Sequence, residues 1–276
     1  MSTAVHIISP PLDDERRGEL IFGGGLVVFK GVPPLLEAAR LIDAWIGGTP
    51  GSITEADVDV IDGLRNRFRG EPEMTALFRA GLEHVGVDAS RSYWDSLYLR
   101  VVPPIDRGAE RQLGRIGPHR DTWSSNVRQQ TNWWTTIYSL TTERTIAFYP
   151  EYWSRPIANT SAEWDLEEIR SRRRAGETDS DLPIVPEPSE PVNTSSELRV
   201  VIEPGDLLSF SGAHLHASVP NVSERARVSV EMRTVNLDDL ARGRGAPEID
   251  GRAPRVPLEW FRSMKDGSPL RRDAAR

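Results

Sequence analysis

Two short stretches nearly a hundred residues apart carry the residue types that can do chemistry: His119-Arg120-Asp121, and His216 followed by Arg227-Val228-Ser229. In a strand, residues two apart leave the same face, so the His119 imidazole and the Asp121 carboxylate can reach one cation together. A second imidazole from a distant strand completes a two-histidine, one-carboxylate set, the ligand pattern of a mononuclear iron site with open coordination positions. Eleven residues beyond His216, Arg227 offers a planar guanidinium suited to gripping a small dicarboxylate.

Each of the five histidines has a bland alternative, because a lone imidazole is usually structural or solvated. His6 and His84 stand alone and are read as structural. His119 differs because Asp121 follows two residues on, with Pro118 and Trp123 bracketing the pair. In the distal stretch His214 and His216 share one strand face, and each has an arginine eleven residues later, Arg225 and Arg227. Spacing alone leaves both open.

The stretch His216-Ala217-Ser218-Val219-Pro220-Asn221, with Arg227-Val228-Ser229 after it, resembles the Fe(II)/2-oxoglutarate-dependent oxygenase superfamily, particularly its phytanoyl-CoA-hydroxylase-like branch. In that branch the distal histidine opens a His-x-Ser-x-x-Asn frame, which His216, Ser218 and Asn221 fit and His214 does not. The resemblance covers roughly Tyr93 to Asn236. It implies that His119, Asp121 and His216 are metal ligands and catalytic residues, with Arg227 and Ser229 holding the far carboxylate of 2-oxoglutarate. It further implies Fe(II), 2-oxoglutarate and O2 as cofactor and co-substrates in a dioxygenase that oxidises, and by default hydroxylates, a substrate C–H bond. Desaturation, ring closure or epimerisation are outcomes of the same chemistry. Halogenases related to the family have a small residue in place of the carboxylate, so Asp121 favours oxidation over halogenation.

The elements that must position these residues are read from pattern. Pro33 to Ile46 carries apolar residues at helical spacing. Ser52-Ile53-Thr54-Glu55 reads as a capping box for a second helix, and a third runs from about Pro72 to Val85. Leu20 to Lys30 reads as a strand or hairpin broken by glycines. From Ser92 on, Tyr93–Val102, Gln130–Leu140, Thr145–Tyr149, Leu198–Ile202, Asp206–Phe210 and Arg227–Val235 read as strands separated by turns. Helices followed by many short antiparallel strands give a mainly β fold with flanking helices: a double-stranded β-helix, the jelly-roll or cupin-like barrel. One domain is expected over 1–276, with a helical buttress at 1–90, a jelly-roll core at 91–240 and a tail at 241–276. An insertion at 152–197 interrupts the core; it holds Trp164, a short helix from Asp165 to Arg174 and a loop with Pro183, Pro186, Pro188 and Pro191. It reads either as a solvated flap or as a lid over the substrate.

Trp123, Trp133, Trp134 and Tyr138 crowd the first motif. Alternation puts Asn132, Trp134 and Thr136 on one strand face, so Trp123, Asn132 and Trp134 are the candidates for substrate contact. Tyr98 and Arg100 share a face on an earlier strand and are weaker candidates.

Composition narrows the partners. The chain has no cysteine, which excludes disulfides and thiolate-bound zinc or iron–sulfur clusters. A net charge of −7, from 41 acidic and 34 basic side chains, argues against nucleic acid as the main partner. No run approaches the roughly 18 apolar residues of a membrane span, and the first thirty residues do not read as a secretory signal. A small-molecule substrate in the cytoplasm is therefore expected, with specialised metabolism as its setting. Sequons at Asn159, Asn193 and Asn221 are read as chance. Two rival functions fit the same pattern: a non-redox metal-dependent cupin isomerase or hydrolase, and a non-catalytic jelly-roll binding protein.

Overall fold

Leu35, Ala38, Ala39 and Ile42 are the buried stripe that makes Pro33–Ile46 a helix, with Pro33 and Pro34 in its first turn and Gly47, at φ 78°, closing its end. The computed structural model describes residues 3–48, 53–105, 112–175, 185–247 and 249–271. Its helices are α1 (Asp14–Phe22), α2 (Pro33–Ile46), α3 (Val58–Gly70), α4 (Pro72–His84), α5 (Thr122–Ser125), α6 (Leu166–Arg174) and α7 (Leu237–Ala241). Its strands are β1 (Val5–Ile8), β2 (Leu26–Phe29), β3 (Ser92–Trp94), β4 (Tyr98–Val102), β5 (Gln130–Thr136) and β6 (Ile146–Phe148). They continue with β7 (Leu198–Val200), β8 (Leu207–Ser211), β9 (His216–Ser218), β10 (Arg227–Asn236) and β11 (Arg262–Ser263).

Eight strands form one sheet in the order β1-β2-β8-β5-β10-β3-β11, with β4 also paired to β10, and three form a second in the order β7-β6-β9. Every pairing is antiparallel except β1 with β2. Alternation sorts the large sheet's side chains into two cores. Val27, Phe29, Trp133, Leu207, Val228, Val230 and Met232 face the helices and pack with Leu35, Ile42, Ile61, Phe68 and Phe78. Leu26, Val28, Trp134, Leu208 and Phe210 face the small sheet and pack with Ile146, Phe148 and Val200. The layers are helices, large sheet, small sheet. The fold is a β-rich pair of sheets with flanking helices.

Several expected boundaries shift for identifiable reasons. Leu20 to Phe22 finish α1 instead of opening a strand. The Asp13 carboxylate caps that helix by accepting from Arg16 N at 2.8 Å, and Ile21 and Phe22 are its buried face. The strand proper begins after the glycines, at Leu26. The single strand expected over Tyr93–Val102 is two strands, because the Asp95 carboxylate takes the backbone N–H of Arg233 at 2.8 Å where a ladder bond would form. α3 starts at Val58, with Asp57 before it. Ser52, expected to open a capping box, lies outside the described residues, as does Pro183.

Phe78 is fully buried and meets Phe68 edge to face at 6.1 Å between ring centres. Phe78→Ala is expected to lower unfolding free energy by about 3–5 kcal/mol in a urea titration. A loss below about 1 kcal/mol contradicts a helical layer that shares one core with the large sheet.

Candidate metal centre

Two backbone hydrogen bonds assemble the site. His119 N donates to His216 O at 2.9 Å and His216 N donates to His119 O at 3.0 Å, an isolated antiparallel bridge that sets the two rings 4.3 Å apart. His216 opens β9 and pairs with Phe148 of β6, so the small sheet fixes its position. Asp121 does not continue a strand. It sits at the N-cap of α5 with φ −66° and ψ −28°, and this helical turn, not strand alternation, swings its carboxylate back toward His119. The ligand atoms of His119, Asp121 and His216 all lie within 4.8 Å of one another, and all three residues are buried.

The protonation pattern suits a cation. His119 Nδ1 lies 2.9 Å from Gly117 O and His216 Nδ1 lies 3.0 Å from His214 O. A carbonyl only accepts, so each Nδ1 carries the proton and each Nε2 keeps its lone pair for a metal. His119 Nε2 then faces Asp121 Oδ1 at 3.5 Å, lone pair toward lone pair, an arrangement that a positive ion between them relieves. Burial would raise the Asp121 carboxyl, but opposing charge, that of Arg233 first, holds it well below the usual carboxylate range. Burial pushes His216 down to about 3. Both ligands are therefore in their metal-binding forms at neutral pH.

Arg227, the first residue of β10, faces the same cavity of about 430 Å³ as the triad. Its Nη1 donates to Thr145 O at 2.7 Å and its Nη2 to Ser218 Oγ at 2.9 Å, while Nε has no partner. The guanidinium is 5.9 Å from the Trp134 ring and, among the described residues, has no carboxylate in ion-pair range. Burial and the nearby Arg100 charge push it down to about 9. A buried cation without a counter-charge is costly unless an anion arrives. Two strand positions on, the Ser229 hydroxyl is also buried without a partner among the described residues, although Ser229 itself does not line the cavity. These orphaned groups fit a dicarboxylate anchored at its far end.

The other expected residues divide. Asn132 and Trp134 line the cavity, with Gln130 on the same strand face. Tyr98 and Arg100 line it too. Trp123, expected along the substrate pocket, is not among the lining residues. It is fully buried in a cluster with Tyr149, Tyr152 and Leu215, and its Nε1 donates to Asp250 Oδ1 at 2.7 Å. The turn at Asp121 sends residue 123 to the far side of the ligand loop. His214 precedes β9, is buried, and packs its ring 4.4 Å from that of Trp153, so it is outside the triad. Asn221 shapes a turn by donating to Val102 O and Arg225 O.

Sequence reasoning missed several wall residues. Glu231 and Arg233 continue the inward face of β10 from Arg227 at period two, a signal that was present. Trp164, Leu166 and Val185 from the insertion, and Trp260 and Phe261 from the tail, also line the cavity, which no local pattern announces. Arg120, between the two ligands, points the other way. It donates to Ala213 O and Tyr152 O and pairs with Asp250 at 3.1 Å, whose Oδ2 also accepts from Ile157 N.

No known family model matches the chain, and no curated protein matches it. Among solved structures it is similar to EvdO2 from Micromonospora carbonacea var. aurantiaca, at 16% identity and a TM-score of 0.49 over 83% of this chain and 93% of that one. The same protein complexed with 2-oxoglutarate gives 15% and 0.47 over the same shares. The epimerase SnoN, in complex with Fe3+, alpha-ketoglutarate and nogalamycin RO, gives 14% and 0.45 over 95% of this chain and 100% of that one. EvdMO1 gives 18% and 0.34 over 60% of this chain, which spans only 31% of that protein. These neighbours include iron- and 2-oxoglutarate-dependent enzymes, and the His-Asp-His triad is present in this chain. All four similarities fall below a TM-score of 0.5. Among the described residues no helix is long and apolar enough to cross a membrane.

Burial also pushes His214 down to about 4, and an unfolded histidine titrates near 6.5. Below pH 6.5 the unfolded chain takes up protons that folded His214 and His216 refuse until about 4 and 3. Their contribution to stability is complete above pH 6.5 and lost as pH falls toward 3. The metal-free His214→Phe variant should therefore show a shallower fall in Tm between pH 7 and pH 4.5 than the parent. Parallel Tm curves count against this account.

Proposed function

We propose that this chain is an Fe(II)- and 2-oxoglutarate-dependent oxygenase acting on a C–H bond of a small molecule, with hydroxylation as the default outcome. The observation that carries the proposal is the placement of a buried Arg227, with no counter-ion among the described residues, in the same cavity as three converging ligand groups. His119, Asp121 and His216 would hold the iron on one face. Iron with 2-oxoglutarate and O2 supplies an oxidant strong enough to remove hydrogen from an unactivated carbon. The chain's own residues do the rest. Arg227 and Ser229 hold the distal carboxylate, Ser218 and Thr145 hold Arg227 in place, and Trp134 covers the guanidinium.

The pairing of two sheets with helices on one side supports reading the fold as a jelly-roll, cupin-like barrel of the phytanoyl-CoA-hydroxylase-like branch, working as one domain in the cytoplasm. A cavity of about 430 Å³ suits a small-molecule substrate. Asp95 and Asp121 pair with Arg233, and Glu231 with Arg100, so the acidic lining is neutralised from within and favours an uncharged substrate over a cationic one. The insertion and tail residues at the cavity support the lid reading, with specialised metabolism as the setting.

The test is succinate formation from 2-oxoglutarate. Succinate should appear only when iron and the keto acid are both present, and Asp121→Ala should remove both iron binding and turnover. Arg227→Ala should weaken 2-oxoglutarate binding by at least tenfold, consistent with loss of a charged hydrogen bond worth about 1.5–3 kcal/mol. Iron binding unaffected by Asp121→Ala, or succinate without iron, overturns the proposal.

A further inference from the structure

Asp121 is held by one oxygen only. Its Oδ2 accepts from Asn132 Nδ2 at 2.5 Å and from Arg233 Nε at 3.2 Å, with Gln130 Nε2 at 3.5 Å, while Oδ1 is turned toward His119 Nε2. The direction of these bonds is fixed by chemistry. A carboxylate only accepts, so the Asn132 amide must present its NH2 to Asp121, and its carbonyl is left to accept from Gln130 Nε2 at 2.8 Å.

Asn132 and Arg233 are direct partners in the register of β5 with β10, so the two donors stand side by side on the inner face of adjacent strands. Arg233 is itself clamped. Its Nη1 and its backbone N–H both donate to the Asp95 carboxylate, at 2.9 and 2.8 Å, and Asp95 N returns a bond to Arg233 O at 3.0 Å. The guanidinium also lies 5.6 Å from the Tyr98 ring. Three strands, β4, β5 and β10, and the β3–β4 link converge on one oxygen of one carboxylate.

We propose that Asn132 and Arg233 are positioning residues that reserve Oδ2 of Asp121, so that the carboxylate meets its ion through Oδ1 alone. This rests on the metal reading of the triad. A carboxylate offers two oxygens and can bind a divalent ion through one or both. Bound through both, Asp121 would take a coordination position that the co-substrates need. The cross-strand donor pair forbids that mode by filling the second oxygen's lone pairs. Asn132 thus gains a role toward the ligand set beside its place on the cavity wall.

Co(II) titration followed by visible absorption tests this without turnover. The parent protein should bind one Co(II) and show ligand-field bands. Asn132→Leu, which removes the donor at similar volume, and Arg233→Lys, which keeps the charge but loses the Nε–H, should each weaken Co(II) binding by roughly 10–100-fold. Each should also change the band intensities as the carboxylate's mode of attachment changes. A parent protein that takes no Co(II) refutes the metal reading itself. A parent that binds, with either folded variant matching its affinity and spectrum, overturns the positioning role while leaving the metal reading intact. Should Asn132→Leu fail to fold, Arg233→Lys decides alone.

Discussion

The reciprocal pair of backbone hydrogen bonds between His119 and His216 is the constraint on which the site depends. Side chains 97 residues apart in sequence have no other reason to meet, and a β-bridge is the shortest way to make two imidazoles neighbours. Because the contact is made by main-chain atoms, it is indifferent to side-chain identity and leaves both rings free for chemistry. The small sheet supplies one half of the bridge through β6 and β9. The large sheet supplies the rest of the cage, since β10 brings Arg227 and Arg233 and β5 brings Asn132.

Polar groups buried between two sheets are tolerable only when each finds a partner. Most here do: Asp121, Asn132, Gln130, Arg233 and Asp95 form a connected chain, and Arg100 satisfies Glu231. Among the described residues six buried side-chain atoms lack a partner, Gln130 Oε1 included, and two of them, Arg227 Nε and Ser229 Oγ, belong to residues two apart at the start of β10. Of the arginines that line the cavity, Arg100 and Arg233 pair with carboxylates, whereas Arg227 meets none among the described residues, and the proposed 2-oxoglutarate anchor rests on that difference.

How much was legible in the sequence follows from which interactions are local. Alternation along β10 and β5 is a property of consecutive residues, so the sequence shows which of them share a face, but not that the face of Arg227 or that of Asn132 and Trp134 is the inner one, which the packing of the two sheets decides. The helix over 33–46 was likewise written in its apolar stripe. Asp121 is the instructive case: its nearness to His119 was anticipated, yet through a strand, whereas a helical turn provides it and turns Trp123 away from the cavity. The break at Asp95 was invisible because it depends on Arg233, 138 residues later. The doorway residues Trp164, Val185 and Trp260 escaped for the same reason, since nothing near them in sequence marks the wall they join.

Arg120 gives the architecture one more property. It stands between two ligand residues, yet its guanidinium is tied to Asp250 of the tail and to the carbonyls of Ala213 and Tyr152, and Asp250 in turn binds Ile157 of the insertion. Tail, insertion and ligand loop are therefore bolted to a single post. A change that moves Asp250 therefore pulls on Arg120, and through the backbone on the imidazole and the carboxylate that flank it, whereas Trp260 reaches the same cavity without touching that link.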